Sequence, residues 1–135
     1  MSYSIIKGVV FDLDNTLLDF MKMKEFAVKA GIKGMIEAGL VVDEKESYNT
    51  IISIYEEYGW ENQTAFDVFI KNQIGYVNNK YLAAGIVAYR RAREANLMAY
   101  PNVNKTLMAL AKSGIKLAVV SDAPSREAWM RIYYL

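Results

Sequence analysis

The stretch Val9–Leu18, VVFDLDNTLL, decides the fold, because an apolar run leads directly into two acidic residues. Short apolar runs rich in β-branched residues predict a buried strand. Asp12 and Asp14 are separated by one residue, so a continuing strand would place both side chains on the same face. Two neighbouring carboxylates beside an apolar core are unfavourable unless a metal ion or a reacting group compensates them. The alternative is a strand end followed by an Asx-type turn.

Composition restricts the classes of partner. The chain has 135 residues, of which 53% are hydrophobic and 23% charged, and its formal net charge is +1. These values are typical of a globular domain, and the balanced charge argues against nucleic acid or a membrane surface as partner. No apolar run reaches membrane-spanning length, and the N-terminus lacks the features of a signal peptide. We therefore predict a cytoplasmic protein.

Cysteine and histidine are absent from the sequence. Their absence excludes Ser-His-Asp and Cys-His nucleophilic mechanisms, disulfides, and His- or Cys-based zinc sites within this chain. The groups that remain for catalysis or metal binding are carboxylates, hydroxyls, amines and guanidinium groups. A metal ion bound by such groups would be a hard cation with oxygen ligands, and Mg²⁺ is the first expectation.

Hydrophobic periodicity divides the chain into a strand, a helical segment and a second α/β segment. The first strand is predicted over Ser4–Asp14, and a second buried strand over Ile115–Val120. A helix starting near Pro124 follows the second strand, and another helix precedes it. Between the strands, four helices are predicted over residues 22–40, from an Asp43 N-cap to Tyr58, over Thr64–Lys71 and over Tyr76–Ala95.

The helical segment contains many aromatic residues at helical spacing. We predict that most of them form the core of a helix bundle. They are Tyr48, Tyr55, Tyr58, Trp60, Phe66, Phe69, Tyr76, Tyr81 and Tyr89. Gly31 and Gly34 are expected to weaken the middle of the first helix, because glycine is a poor helix former.

The element order predicts a parallel α/β core that is interrupted after its first strand. Right-handed crossovers place the carboxyl ends of parallel strands at one edge of the sheet, where ligands bind. Asp12 and Asp14 would then meet Ser121 and Asp122 there. Two other roles remain open. The Ser121 hydroxyl could bond a nearby backbone group, and Asp122 could cap the following helix.

These residues resemble the haloacid dehalogenase superfamily of phosphohydrolases. Residues 12–16, DLDNT, match its first motif, D-x-D-x-T, and Ser121 after the strand IKLAVV matches its second. The resemblance implies a Rossmann-like α/β core formed by residues 1–18 and 97–135. It also implies an inserted α-helical cap formed by residues 19–96.

The resemblance further implies a Mg²⁺-dependent phosphatase that acts on small phosphorylated metabolites. Asp12 would be the nucleophile and form an aspartyl-phosphate, and Asp14 would be the general acid and base. The Asp12 carboxylate and the Asp14 backbone carbonyl would bind Mg²⁺. Backbone N–H groups after Asp12 would also contact the phosphate. The substrate-binding residues would be Asn15, Thr16, Ser121 and Asp122.

Family members also use a lysine from a third motif and an acidic pair from a fourth, and both follow the second motif. Because the sequence ends at Leu135, we expect an incomplete core, reduced activity and a fragment of a longer protein. An open strand edge would favour self-association. Two alternatives are a non-catalytic binding module that retains the nucleophile loop, and a phosphotransferase or phosphomutase.

Overall fold

A computed structural model describes residues 5–135 and divides them into two compact units. One unit contains residues 5–21 and Leu97–Leu135, and the other contains Lys22–Asn96. The elements in chain order are β1 (Gly8–Asp12), α1 (Phe20–Glu37), α2 (Glu44–Tyr58), α3 (Ala65–Ile74), α4 (Asn79–Ala95), α5 (Val103–Lys112), β2 (Lys116–Val120) and α6 (Ser125–Tyr134). In the described part of the chain, no helix has both the length and the hydropathy needed to cross a bilayer.

The two strands form a parallel pair, so the predicted α/β arrangement is confirmed. Gly8 pairs with Lys116 at one end, and Asp12 pairs with Val120 at the other. The carboxyl ends of both strands therefore lie at the same edge. β1 is shorter than predicted: Ser4 lies outside the described residues, and the chain turns directly after Asp12.

The expectation that both strands are buried on both faces is wrong for the described chain. Exposed and half-buried residues alternate along β1, and all five residues of β2 are exposed. Val10 and Val120 are 63% and 65% exposed. The physical reason is that the described sheet contains two strands, so its helices leave much apolar strand surface accessible. Parallel strands are normally covered on both faces.

The helical unit has a continuous apolar core formed by residues of α1, α2 and α3 and the segments that join them. Phe69, Ile51 and Met35 are fully buried. The predicted aromatic core is confirmed in part, since Tyr55 and Phe66 are also buried. It is wrong for Tyr58 and Tyr76, which are each 59% exposed because they lie at a helix end and in a connecting segment.

Polar caps define where the helices of this unit begin. The predicted Asp43 cap is confirmed, since the Glu46 backbone N–H donates to Asp43 Oδ2 at 2.8 Å. α4 begins at Asn79, later than predicted, because the Asn78 side chain accepts hydrogen bonds from the backbone N–H groups of Lys80 and Tyr81. A cap satisfies N–H groups that have no partner within the helix.

Removing the Asp43 cap should destabilise the helical unit measurably. We expect Asp43→Ala to lower the free energy of unfolding by about 1 kcal/mol, since the Glu46 N–H loses its acceptor. Urea denaturation followed by circular dichroism measures this change. Lys45→Ala is the matched control, because Lys45 is an exposed side chain in the same first turn. Equal stability of the two variants would contradict the capping role.

Glycines allow α1 and α4 to approach closely within the helical unit. A Cβ atom at Gly34 would lie 2.8 Å from the Ala84 carbonyl oxygen and 2.9 Å from Ala88 Cβ. A Cβ atom at Gly31 would lie 3.2 Å from the Gly85 carbonyl oxygen in α4 and 2.5 Å from the Phe66 ring in α3. The sequence-based view of these glycines as weak points of α1 is therefore incomplete, because they make room for the packing of a neighbouring helix.

A buried lysine links three aromatic residues of the same unit. Lys24 Nζ donates to the Trp60 carbonyl oxygen at 2.9 Å and to the Tyr89 hydroxyl at 2.7 Å. It also lies 3.7 Å from the centroid of the Tyr55 ring, a cation–π distance. Burial raises the pKa of the Tyr55 phenol above its usual range. These contacts satisfy the ammonium group, and we assign the cluster a structural role.

Candidate active site

The loop after β1 is held in place by two fully buried leucines. Leu13 and Leu18 are both 0% exposed. The Leu17 backbone N–H donates to the Leu13 carbonyl at 2.9 Å, and the Asn15 N–H donates to the Leu18 carbonyl at 2.8 Å. Leu13 lies between the two acidic residues, so its burial fixes the backbone from which both carboxylates project.

Asp12 is the last residue of β1, and it is exposed. Its Oδ2 atom accepts a hydrogen bond from the Thr16 hydroxyl at 3.0 Å. This contact orients the carboxylate and leaves it accessible to solvent. An accessible, oriented carboxylate at a strand end can act as a nucleophile or as a ligand of a hard cation.

Asp14 has a different environment, because a guanidinium group from α6 contacts it. Arg131 Nη1 lies 2.7 Å from Asp14 Oδ2, and Arg131 is only 7% exposed. The Arg131 guanidinium carbon also lies 4.9 Å from the centroid of the Phe20 ring. Arg131 therefore supplies a positive charge beside the paired carboxylates and binds one oxygen of Asp14.

Asn15 and Thr16 make contacts within the loop. Asn15 has a φ of 59°, in the left-handed region that asparagine tolerates better than most residues. Its Oδ1 atom accepts from the Met21 backbone N–H at 3.2 Å, which connects the loop to the start of α1. The Asn15 backbone N–H donates to the Leu18 carbonyl, and the Thr16 backbone N–H donates to the Leu13 carbonyl. In this structure both residues stabilise the geometry around Asp12 and Asp14.

Ser121 and Asp122 follow β2 at the edge where Asp12 ends β1. The Ser121 hydroxyl oxygen accepts from the Ala123 backbone N–H at 3.1 Å. Asp122 is exposed. The expectation that Asp122 caps α6 is wrong, because Pro124 occupies the cap position and no side chain bonds there. Asp122 is two residues before that position, so its carboxylate keeps the freedom to face solvent.

The oxygen atoms near the end of β1 fit a sparsely coordinated Mg²⁺ ion. Asp12 offers an accessible carboxylate, and Asp14 follows it in a fixed loop. Mg²⁺ commonly keeps several waters and is held by one or two carboxylates plus substrate phosphate. Over residues 5–135, no three acidic side chains gather into a metal-binding cluster. The resemblance implies that the Asp12 carboxylate and the Asp14 backbone carbonyl would be the protein ligands from this part of the chain.

Sequence reasoning did not identify Arg131. The available signal was a single basic residue between apolar residues in the segment MRIYYL. A buried arginine normally requires an acidic partner, although the identity of that partner depends on tertiary structure.

Comparison with known proteins relates this site to a family of hydrolases. The family model of haloacid dehalogenase-like hydrolases matches residues 6–135. A glyceraldehyde 3-phosphate phosphatase of Methanocaldococcus jannaschii is 35% identical over 131 residues, which are 97% of this chain and 58% of that protein. The protein of that name from Methanopyrus kandleri is 36% identical over 133 residues, 97% of this chain and 57% of that protein. The chain thus spans a little over half the length of these relatives.

Solved structures share the fold. A HAD-hydrolase of Bacillus subtilis bound to magnesium has a TM-score of 0.55 and 21% identity, and the match covers 96% of this chain and 58% of that chain. A predicted phosphoglycolate phosphatase from Haemophilus somnus has a TM-score of 0.52 and 22% identity, covering 95% of this chain and 56% of that chain. At such identities the likeness concerns the fold alone. The family model's match over residues 6–135 shows that the chain belongs to the haloacid dehalogenase-like hydrolase family.

Proposed function

We propose that this chain carries the nucleophile and the acid–base residue of a Mg²⁺-dependent phosphatase acting on small phosphomonoesters. The observation that carries the proposal is the arrangement at the end of β1. Asp12 is accessible and oriented by Thr16, whereas Asp14 is paired with Arg131. Two carboxylates in different environments suit two different chemical roles. Membership of the hydrolase family and the names of its relatives support this reading.

In the first half of the reaction, an Asp12 carboxylate oxygen attacks the phosphorus atom of the substrate. A bond forms between that oxygen and phosphorus, and the bond from phosphorus to the leaving alcohol breaks. Asp14 in its protonated form donates its proton to the leaving oxygen. In the second half, Asp14 accepts a proton from water, and the water oxygen attacks phosphorus. The bond from phosphorus to the Asp12 oxygen breaks, which restores the Asp12 carboxylate. The products are the alcohol and inorganic phosphate.

The residues around the carboxylates bind and orient in this proposal. The Ser121 hydroxyl and backbone N–H groups after Asp12 hold phosphate oxygens. Thr16 keeps the Asp12 carboxylate in place, Asn15 maintains the loop, and Asp122 lines the substrate side of the site. Mg²⁺, when bound, offsets the repulsion between Asp12 and the phosphate. Residues 1–18 and 97–135 form the catalytic domain, and residues 19–96 form the cap.

The relatives suggest a substrate class. Five curated proteins named glyceraldehyde 3-phosphate phosphatase match the chain, with 31–36% identity. We therefore propose a short phosphorylated aldehyde or alcohol as the natural substrate. Release of phosphate from glyceraldehyde 3-phosphate, compared with release from a hexose phosphate, tests this choice. Product analysis with an added alcohol or sugar phosphate separates hydrolysis from phosphoryl transfer. The cytoplasmic location and the absence of a nucleic-acid partner stay predictions.

The proposed function predicts Mg²⁺-dependent hydrolysis of p-nitrophenyl phosphate by the purified 135-residue chain. We expect turnover with Mg²⁺, and at least about a tenfold decrease when EDTA removes it, since the phosphate charge then lacks compensation. Ca²⁺ should restore little activity, because it prefers longer bonds and more ligands than Mg²⁺. Turnover that does not depend on a divalent ion would contradict the metal assignment. Absence of turnover in a folded chain would contradict catalysis by this chain alone.

A phosphate-binding module without turnover is the second candidate. The ion pair between Arg131 and Asp14 favours it, because one of the two Asp14 carboxylate oxygens, Oδ2, is already bound. This candidate predicts that orthovanadate binds the folded chain, detected by calorimetry, although no phosphate ester is hydrolysed. Asp12→Asn would then change the vanadate affinity, and neither the original chain nor the variant would hydrolyse a phosphate ester.

A further inference from the structure

We infer that Arg131 is a positioning residue that keeps the Asp14 side chain away from a divalent cation held at Asp12. This inference rests on the proposed function, because it concerns the same two carboxylates. Its basis is the unequal environment of the two acids. A charged group from the last turn of α6 binds Asp14 through a 2.7 Å contact, whereas the Asp12 carboxylate is exposed and accepts the Thr16 hydroxyl.

The burial of Arg131 makes this contact persistent. Arg131 is 7% exposed, and its guanidinium lies against the Phe20 ring at 4.9 Å. Arginine remains protonated at every physiological pH, and its planar donors prefer carboxylate partners. Releasing Asp14 would leave a buried positive charge without that partner, which is costly. The ion pair therefore fixes the position of the Asp14 carboxylate more strongly than an exposed pair would.

A second carboxylate near a divalent ion would ordinarily join the ion as a ligand. Asp14 is separated from Asp12 by one residue, and both carboxylates are hard oxygen donors. A carboxylate bound to the cation is a poor proton acceptor, because the cation stabilises its negative charge. By engaging Asp14 Oδ2, Arg131 leaves the cation to Asp12 and preserves Asp14 for proton transfer. A structural salt bridge between α6 and the loop has no such effect on cation affinity.

Cation binding tests the inference without turnover. Mn²⁺ is the probe, since it occupies oxygen sites suited to Mg²⁺ and its free concentration is measurable by electron paramagnetic resonance. We expect Arg131→Met to tighten Mn²⁺ binding about tenfold by releasing the Asp14 carboxylate, an effect of the size seen for residues that orient ligands. Asp14→Asn alone should leave the Mn²⁺ affinity within about twofold, and Arg131→Met with Asp14→Asn should restore the original affinity.

The controls separate positioning from folding. Arg126→Met is the matched control on α6, because the Arg126 side chain is 85% exposed and makes only a 3.6 Å contact with Glu127. Arg131→Lys keeps the positive charge and should restore much of the original Mn²⁺ affinity. Circular dichroism of each variant confirms that α6 is retained. Unchanged Mn²⁺ affinity in folded Arg131→Met would overturn the inference. So would a severalfold loss of affinity in Asp14→Asn.

The leaving group supplies a second readout that a purely structural role would not affect. Nitrophenolate departs without receiving a proton, whereas the alkoxide of glycerol 3-phosphate requires one. Arg131→Met should therefore lower kcat for glycerol 3-phosphate about tenfold more than kcat for p-nitrophenyl phosphate. Equal losses on both substrates would overturn the inference and leave the proposed function standing. Failure of the proposed function would instead appear as turnover that Asp12→Asn does not change.

Discussion

Asp12→Asn should lower the Mg²⁺-dependent hydrolysis of p-nitrophenyl phosphate by at least about a thousandfold, the scale expected when a nucleophile is removed. Asparagine is nearly isosteric with aspartate, and it can still accept the Thr16 hydroxyl hydrogen bond that Asp12 Oδ2 accepts. The fold should therefore persist. What is lost is a negatively charged oxygen that can attack phosphorus and bind a cation. Initial rates at saturating Mg²⁺ measure the effect.

A second measurement distinguishes covalent catalysis from a supporting role of Asp12. Acid quenching during turnover, followed by mass spectrometry of the intact chain, should detect one added phosphoryl group that hydroxylamine removes. Asp43→Asn is the matched control, because asparagine also caps helices and the same chemical change occurs outside the loop. Hydrolysis by Asp12→Asn at the rate of Asp43→Asn would show that Asp12 is not the nucleophile.

Gly34→Val should lower the free energy of unfolding of the helical unit by about 3 kcal/mol, with the largest part arising from overpacking. A Cβ at this position would be 2.8 Å from the Ala84 carbonyl oxygen, a backbone atom that moves only if α4 moves. Gly34→Ala is the sharper test, because helix propensity and packing predict opposite signs for its change in the free energy of unfolding. Helix propensity alone predicts that alanine stabilises α1 by about 1 kcal/mol. The packing predicts net destabilisation.

Lys33→Val controls for the poor helix propensity of valine, because Lys33 is exposed on the same helix. Lys33→Val should lower the free energy of unfolding by less than about 1 kcal/mol. Gly34→Ala combined with Ala88→Gly should recover part of the stability, since it removes the Ala88 Cβ at 2.9 Å. Urea denaturation of all four variants measures the differences. A stabilised Gly34→Ala variant would contradict the close approach of α1 and α4.

Local sequence patterns predicted most of the elements. The predicted Asp43 cap and the predicted end at Tyr58 bounded α2, and the structure has both at these positions. The predicted start of α4 was three residues too early, because Asn78 is a cap whose side chain bonds two N–H groups. These hydrogen bonds are local, so the asparagine could have been used to predict where the helix begins. Short-range hydrogen bonds depend on neighbouring residues, so they can be inferred from the sequence.

Burial was harder to predict. Short apolar runs rich in β-branched residues indicated strands, and the structure contains both strands in parallel register. Their apolar character also suggested complete burial, yet β2 is exposed along its length. Composition shows that a strand is suited to a core, whereas burial depends on how many other elements pack against it. That number is a property of the tertiary structure.

The sequence by itself determined the family, the parallel α/β pattern and the sparse chemistry of a chain without cysteine or histidine. Only the tertiary structure decided what surrounds each acid. Asp14 and Arg131 are 117 positions apart, and their 2.7 Å contact exists because folding carries α6 to the loop after β1. Gly34 and Ala84 approach for the same kind of reason. Local patterns specify elements, but contacts between distant residues depend on how those elements pack, and no local pattern encodes them.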